Sequence, residues 1–244
     1  MRYLWLTFIC VLFGCEQAPV ATISYQEALK EESFVKLTSE IGAMFSAEDK
    51  AIMKAAQIKL AENLKSPGLQ IGSFAPHFTL KNAFGTKVTL SEELTNGPVV
   101  LVFYRGSWCP YCNLHLRVLQ KNLPQFEKYG ARLITITPQQ PDKSAQQLKK
   151  DGYLFEVLSD LDNSVMQNYN LYFELPKELI DVYKKAEVDI ENHNGKGRVG
   201  LPVPSSFVID TSGIIRAMHV DTNYTKRMEP TDIFAALEAI VGKK

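Results

Sequence analysis

Cysteine and histidine are scarce in this chain. Four of each occur in 244 residues, and the 27 basic side chains are balanced by 27 acidic ones. With zero formal net charge, nothing points to nucleic acid or to an acidic partner. The histidines, His77, His115, His193 and His219, are scattered, and only one C-x-x-C pair is present. Structural zinc usually takes a second such pair or a paired histidine motif, so the ligand set is incomplete and no metal or other cofactor is expected. No apolar run reaches the roughly 20 residues that a bilayer-spanning helix needs. Internal repeats and low-complexity tracts are also absent. What remains is a globular composition, 45% hydrophobic, long enough for one sizeable core and an appended segment.

The N-terminus reads as an export signal. Arg2 precedes an apolar run from Tyr3 to Phe13, which ends Leu12-Phe13-Gly14-Cys15. A small residue before a cysteine resembles the lipobox of bacterial lipoproteins. Residues 1–14 are then a signal peptide, Cys15 is the lipidated first residue of the mature chain, and 15–23 form a tether. The expected location is the bacterial cell envelope, lipid-anchored and facing the periplasm or exterior. An ordinary signal, giving a soluble periplasmic or secreted protein, is the alternative. Cys10 is lost with the signal, which leaves Cys109 and Cys112 as the thiols. Any disulfide therefore joins them to each other or to another molecule. An exported location is oxidising, so an external thiol reductant must be supplied.

The pair lies at a junction. Val99 to Tyr104 is an apolar run suited to a strand buried on both faces, and an amphipathic helix follows from about Pro110 to Lys128. Cys109 and Cys112 thus fall at a helix N-terminus, where unpaired N–H groups and the helix dipole favour a thiolate. Cys109 is expected to be the exposed thiol, with Cys112 deeper by one turn. Pro110 suits the first helical position. Trp108 is expected to pack beside the pair and limit water access. Arg105 and Ser107 are close by in sequence, and His115 is read as a helix-surface residue.

Around this junction, 24–68 reads as a helical extension with helices over 24–43 and 47–64, each opened by a capping signal at Ser24 or Ser46. The main domain covers 70–244. Strands are predicted at 78–80, 87–90, 99–104, 131–137, 155–158, 205–209 and 214–220. Helices are predicted at 143–150, 162–169, 176–186 and 231–241. Residues 170–200 form an insertion with a polar loop over 191–200. The alternation implies an α/β fold with a central mixed sheet.

Three separated motifs resemble the alkyl hydroperoxide reductase C and thiol-specific antioxidant family, the peroxiredoxins of the thioredoxin-like superfamily. They are Gly72-Ser73-Phe74-Ala75-Pro76-His77-Phe78-Thr79-Leu80, Leu158-Ser159-Asp160-Leu161-Asp162, and Phe207-Val208-Ile209-Asp210. The resemblance implies a thioredoxin fold and a thioredoxin-dependent antioxidant peroxidase. It places Cys112 at the peroxidatic position and Cys109, the resolving thiol, where the family has threonine. Arg105 falls at the family proline, and Pro204 where the family has its active-site arginine. Arg105 and Ser107 then substitute in holding peroxide. Thioredoxins carry a cis-proline at the place of Pro204, so a cis Val203–Pro204 bond facing the sulfurs is expected. That likeness supports an alternative, a protein disulfide reductase with Cys109 as nucleophile and Cys112 resolving. Copper delivery by Cys109, Cys112 and His115 is a minor third reading. Partners are a hydroperoxide or disulfide substrate, a thioredoxin-like or membrane electron donor, and the membrane itself.

Overall fold

The computed structural model describes residues 21–242. The signal segment, Cys10, Cys15 and the first part of the tether lie outside the described residues. Among the described residues no helix is long and apolar enough to cross a membrane.

The chain opens with α1 (Tyr25–Ala28), α2 (Glu32–Ala43) and α3 (Ala47–Asn63). A hairpin of β1 (Thr79–Asn82) and β2 (Lys87–Thr89) leads through α4 (Leu90–Leu94) to β3 (Val99–Phe103). Then come α5 (Pro110–Lys121), α6 (Leu123–Lys128), β4 (Arg132–Thr137), α7 (Pro141–Asp151) and β5 (Glu156–Ser159). After α8 (Ser164–Asn168), the insertion holds β6 (Tyr172–Glu174), α9 (Lys177–Lys185), α10 (Ile190–Asn194) and β7 (Gly200–Pro202). The chain closes with β8 (Ser205–Ile209), β9 (Ile215–Val220) and α11 (Pro230–Val241).

Seven strands form one mixed sheet in the order β2-β1-β5-β4-β3-β8-β9. β3, β4 and β5 are parallel, and β8 runs antiparallel to β3. Every residue of β3 is buried, because both faces of the sheet are covered. Its side chains alternate between two cores, as the period of two requires. Val99, Leu101 and Phe103 join Tyr169 and Phe207 on one face. Val100 and Val102 join Leu116, Leu119, Leu237 and both cysteines on the other.

Three predicted elements differ. The first helix breaks at Leu29–Glu31 into α1 and α2. The helix from Pro110 stops at Lys121 and resumes as α6. Pro124 explains this, since its ring and missing N–H oppose a helix running through from Gln120. The side chain of Asn122 uses the break, donating to the carbonyls of Val118 (2.8 Å) and Ile23 (2.9 Å). Within the expected polar loop, Ile190–Asn194 is helical, capped by Asp189 accepting from the N–H of Glu191 and Asn192. Asp160, four residues before α8, accepts from Met166 N–H in its first turn at 2.8 Å.

The extension is packed against the domain. Tyr25 is fully buried and donates its hydroxyl to the carbonyl of Thr225 at 2.8 Å. Glu229 receives three donors from the start of α1: Ser24 Oγ (3.0 Å), Tyr25 N (3.0 Å) and Gln26 N (2.9 Å). Phe34 of α2 meets Tyr111 edge-on. At the start of α3, Ser46 and Asp49 form a full capping box, and Asp49 is paired with Lys185 of α9 at 2.5 Å.

Glu229→Ala removes the shared acceptor of α1. Charge-assisted bonds of this kind contribute about 1.5–3 kcal/mol, so urea unfolding should show a loss of that order, with faster hydrogen exchange in residues 24–43.

Candidate active site

β3 delivers the chain to the site, and a short loop turns it into α5. Gly106 makes the turn at φ 149°. A Cβ there would come within 2.5 Å of the Trp108 indole nitrogen, so the residue under Trp108 must be glycine. Polar groups clamp Ser107 by its backbone rather than its hydroxyl. Its N–H donates to Gln139 Oε1 at 3.0 Å, and its carbonyl accepts from Asn113 Nδ2 at 2.7 Å. Gln147 donates to Asn113 Oδ1 at 3.1 Å and accepts from the Tyr104 hydroxyl at 2.9 Å. Gln139 Nε2 donates to Tyr104, Ser144 and Gln147. This buried network holds the loop in one shape, and its members were not singled out from the sequence.

Cys109 is the N-cap of α5, Pro110 its first residue, and Cys112 lies in the first turn. Both are free thiols. Cys112 is 0% exposed, as expected of the deeper thiol. Cys109 is 1% exposed, against the expectation of an open nucleophile. The reason is the extension and the insertion. Cys109 lines a cavity of about 420 Å³ whose other walls include Ile41, Phe45 and Met53 of the extension, and Tyr183 and Val188 of the insertion.

The electrostatics separate the two sulfurs. Burial pushes the Cys109 thiol up, and the hydrogen bond to Cys112 keeps the proton there. For Cys112, burial acts in the same upward sense. It is outweighed by the Cys109 hydrogen bond, the charges of Arg227 and Arg105, and the Arg105 backbone N–H, which bring the thiol down to about 5. Arg227 Nη2 donates to the Cys112 sulfur at 3.3 Å. Its Nη1 donates to the carbonyls of Tyr224 and Lys226, both at 2.6 Å. No sequence signal marked Arg227. It is 115 residues from Cys112, and only the missing arginine at Pro204 hinted that a guanidinium must come from elsewhere.

Arg105 is also buried, at 4% exposure. It donates to the Tyr183 hydroxyl at 2.6 Å. Its guanidinium lies over the rings of Trp108 (4.7 Å), Tyr224 (4.8 Å) and Tyr183 (5.6 Å). Burial disfavours its charge, but Tyr183 and the two sulfurs more than offset this, and it stays cationic. Trp108 packs beside the pair, half-buried.

Other expectations are corrected. There is no cis peptide among the described residues, so the Val203–Pro204 bond is trans. Val203 anchors this segment by donating its N–H to the Leu171 carbonyl at 2.8 Å. Pro204 lines a second cavity beside Arg105 and Tyr224. His115 is 1% exposed rather than on the surface, because α1 covers its side of α5, with Tyr25 edge-on at 5.6 Å. Burial, with Arg227 and His219 nearby, holds it neutral. Among the described residues no group of three or more His, Cys, Asp or Glu is arranged to hold a metal. Cys109, Cys112 and His115 therefore do not form the copper site considered above.

Arg227→Gln tests the origin of the thiolate. The cation favours the charged sulfur, so removing it raises the Cys112 pKa, by about one unit or more. Thiolate absorbance at 240 nm should show an inflection near pH 5 in the unaltered protein and a clearly higher one in the variant.

A match to the AhpC/TSA family spans residues 71–218. Alkyl hydroperoxide reductase E of Mycobacterium bovis is 27% identical over 175 residues, covering 70% of this chain and 99% of that protein. Peroxiredoxin Bcp of Escherichia coli is 27% identical over 106 residues, 43% of this chain and 67% of that protein. In three dimensions, peroxidoxin BcpB from Mycobacterium tuberculosis superposes with a TM-score of 0.56 at 21% identity, over 70% of this chain and 98% of that one. A yeast mitochondrial 1-Cys peroxiredoxin gives 0.55 at 19% identity, over 70% and 76%. These structural likenesses show the shared peroxiredoxin-type thioredoxin fold. The helical extension and Arg227 both lie outside the matched span. Since the match from Ile71 to Met218 takes in more than half of the sequence, this chain belongs to the AhpC/TSA family.

Proposed function

We propose that the chain is a thiol-dependent peroxidase working through the Cys109–Cys112 pair, with Cys112 peroxidatic and Cys109 resolving. The observation that carries these roles is Arg227 at 3.3 Å from the Cys112 sulfur, with the shared proton held on Cys109. Only the thiolate is a good nucleophile, and here it is the Cys112 sulfur.

The cycle follows from that poise. The Cys112 thiolate attacks one oxygen of a hydroperoxide and the O–O bond breaks. The other oxygen leaves as an alkoxide and takes a proton to become the alcohol. Cys112 is left as a sulfenic acid. Cys109 then attacks that sulfur, its proton goes to the departing hydroxide, and water and a disulfide result. An external dithiol, thioredoxin-like or a membrane donor, reduces the disulfide by exchange. Arg227 and Arg105 stand where negative charge shifts from sulfur to oxygen, the placement that stabilises such a transition state. They take the part the sequence assigned to Arg105 and Ser107. Access to Cys112 requires a small motion at the helix start. Cys109 makes no side-chain capping bond there, so its hydrogen bond to Cys112 is the contact that must break for its side chain to turn.

The second reading, disulfide reduction with Cys109 as nucleophile, is favoured by Cys109 lining the cavity. The proton on Cys109 and the helices roofing that cavity weigh against attack on a folded protein's disulfide.

We further propose that the chain is lipid-anchored to the cell envelope through Cys15, on the strength of Arg2, the apolar run and Gly14-Cys15. Cys15→Ser should then block incorporation of labelled fatty acid and shift the protein out of the membrane fraction.

Peroxide and a model disulfide, each offered to the single-cysteine variants, test the roles. Cys112→Ser should abolish peroxide consumption. Cys109→Ser should give one turnover to a sulfenic acid, trapped by dimedone and read by mass spectrometry. Arg227→Gln should slow oxidation by about 10²–10³. A mixed disulfide formed rapidly at Cys109, with peroxide ignored, would reverse the assignment.

A further inference from the structure

The end of the domain remote from the thiols carries an open groove of about 1170 Å³. Arg132 and Glu156, the first residues of β4 and β5, border it. Cys109 lies beyond the opposite end of the sheet, after β3, which runs parallel to β4. The end of α5 reaches the groove at Gln120 and Lys121, roughly 17 Å along the helix axis from Pro110. The groove wall is apolar, with Leu123, Leu133, Leu148, Tyr153 and Phe155.

Phe84 and Leu154 stand at its mouth. They are 75% and 81% exposed, more than any other large apolar side chain among the described residues. Both are held out by their backbone. Leu154 N–H donates to Gln120 Oε1 at 2.8 Å. Asn82 Oδ1 accepts from the N–H groups of Phe84 and Thr86, each at 3.0 Å, and so fixes the hairpin turn. Single exposed apolar residues are ordinary, but two on fixed loops at the mouth of one apolar groove mark a contact surface. Lys121 and Lys149 also border the groove, exposed and outside the ion pairs of the described residues. Of the other charges there, Arg132 pairs with Glu93 at 2.9 Å, and Glu156 accepts from Asn82 at 3.0 Å. Two unpaired cations therefore face one exposed anion, Glu127.

The tether arrives at the same end. Ile23 N–H donates to Asn122 Oδ1 at 3.0 Å, and Asn122 Nδ2 donates to the Ile23 carbonyl at 2.9 Å. Asn122 lies between Lys121 and Leu123, both in the groove wall. Eight peptide steps lead from Cys15 to Ile23, and fully extended they span at most about 29 Å. A lipid on Cys15 holds Asn122 within that distance of the bilayer.

We propose that this groove face lies on the membrane. Phe84 and Leu154 enter the boundary between headgroups and acyl chains, and Lys121 and Lys149 meet anionic headgroups. The inference rests on the lipid-anchor reading and adds an orientation to it. A contact of this size is weak alone and is made stable by the second signal that an acyl anchor supplies. The Cys109–Cys112 pair then opens to the aqueous side, which favours a soluble thiol reductant over a donor buried in the bilayer.

The lipidated protein, reconstituted on vesicles of phosphatidylglycerol and phosphatidylcholine containing a nitroxide-labelled lipid, tests the orientation. Native Trp108, the one tryptophan after Cys15, marks the thiol end. Phe84→Trp or Leu154→Trp adds a reporter at the groove. The added emission should be lost to quenching on these vesicles, while Trp108 emission is unchanged. Lys121→Glu combined with Lys149→Glu should restore it, as should high salt. Groove reporters that keep their emission overturn the orientation, and quenching of Trp108 in their place puts the thiol end on the bilayer. With lipid found on Cys15 by mass spectrometry, the anchor reading then stands alone. If Cys15 carries no lipid, the anchor reading falls, and sedimentation of the same protein with phosphatidylglycerol vesicles decides the face. Salt-sensitive binding, weakened about tenfold or more by the two lysine substitutions, supports it, and binding that they leave unchanged, or no binding, overturns it. A dimer that Leu154→Asp dissociates, with the groove reporters unquenched on vesicles, assigns the groove to a second copy of the chain and also overturns the proposal.

Discussion

Arg227 donates to the Cys112 sulfur across 3.3 Å, and both groups are out of water. Neither would be tolerable there alone. A thiolate in an apolar core is pushed back to the thiol by desolvation, and a lone buried guanidinium is costly. Together they favour the charged form of the Cys112 sulfur. The backbone around Arg227 shares in this, because the carbonyls of Tyr224 and Lys226 hold its other nitrogen. The segment after β9 is in turn held by Tyr25, whose hydroxyl bonds the Thr225 carbonyl. The N-terminal extension is therefore connected to the thiolate through two hydrogen-bonded steps.

The same extension decides what can approach. A C-x-x-C at a strand–helix junction is usually open on one side, ready for a partner's disulfide. Here α2, α3 and α9 close that side and leave an apolar cavity in front of Cys109. Geometry of this kind suits a small molecule with hydrophobic bulk better than a protein loop. The clamp on Ser107 by Gln139 and Asn113 keeps the first turn of α5 in place.

Much of the fold was readable from local pattern. Val99–Phe103 declared itself as a doubly buried strand by being apolar throughout, and Ser46 with Asp49 declared a helix start. The break at Asn122 is hidden because the apolar spacing Leu116, Leu119, Leu123, Phe126 continues through it. At Ile190–Asn194 a charged, polar stretch hides a short helix capped by its own Asp189. At the site, Cys109, Cys112, Trp108 and Pro110 were legible from their spacing. Arg227, Gln139, Gln147 and Asn113 were not, since each acts through a partner distant in sequence or along a helix face. The burial of His115 is hidden for the same reason: it comes from Tyr25, 90 positions earlier in the chain.

The sequence by itself determined the two thiols, their place at a helix N-terminus, and the α/β body that holds them, because each depends on residues adjacent in the chain. Tertiary structure alone decided which thiol is favoured as the charged one, that Arg105 is buried and bonded to the Tyr183 hydroxyl, and that the extension roofs the site. Those outcomes depend on charge and burial at distances of a few ångströms between segments far apart in sequence, where Coulomb energies and desolvation are large and local pattern carries no signal.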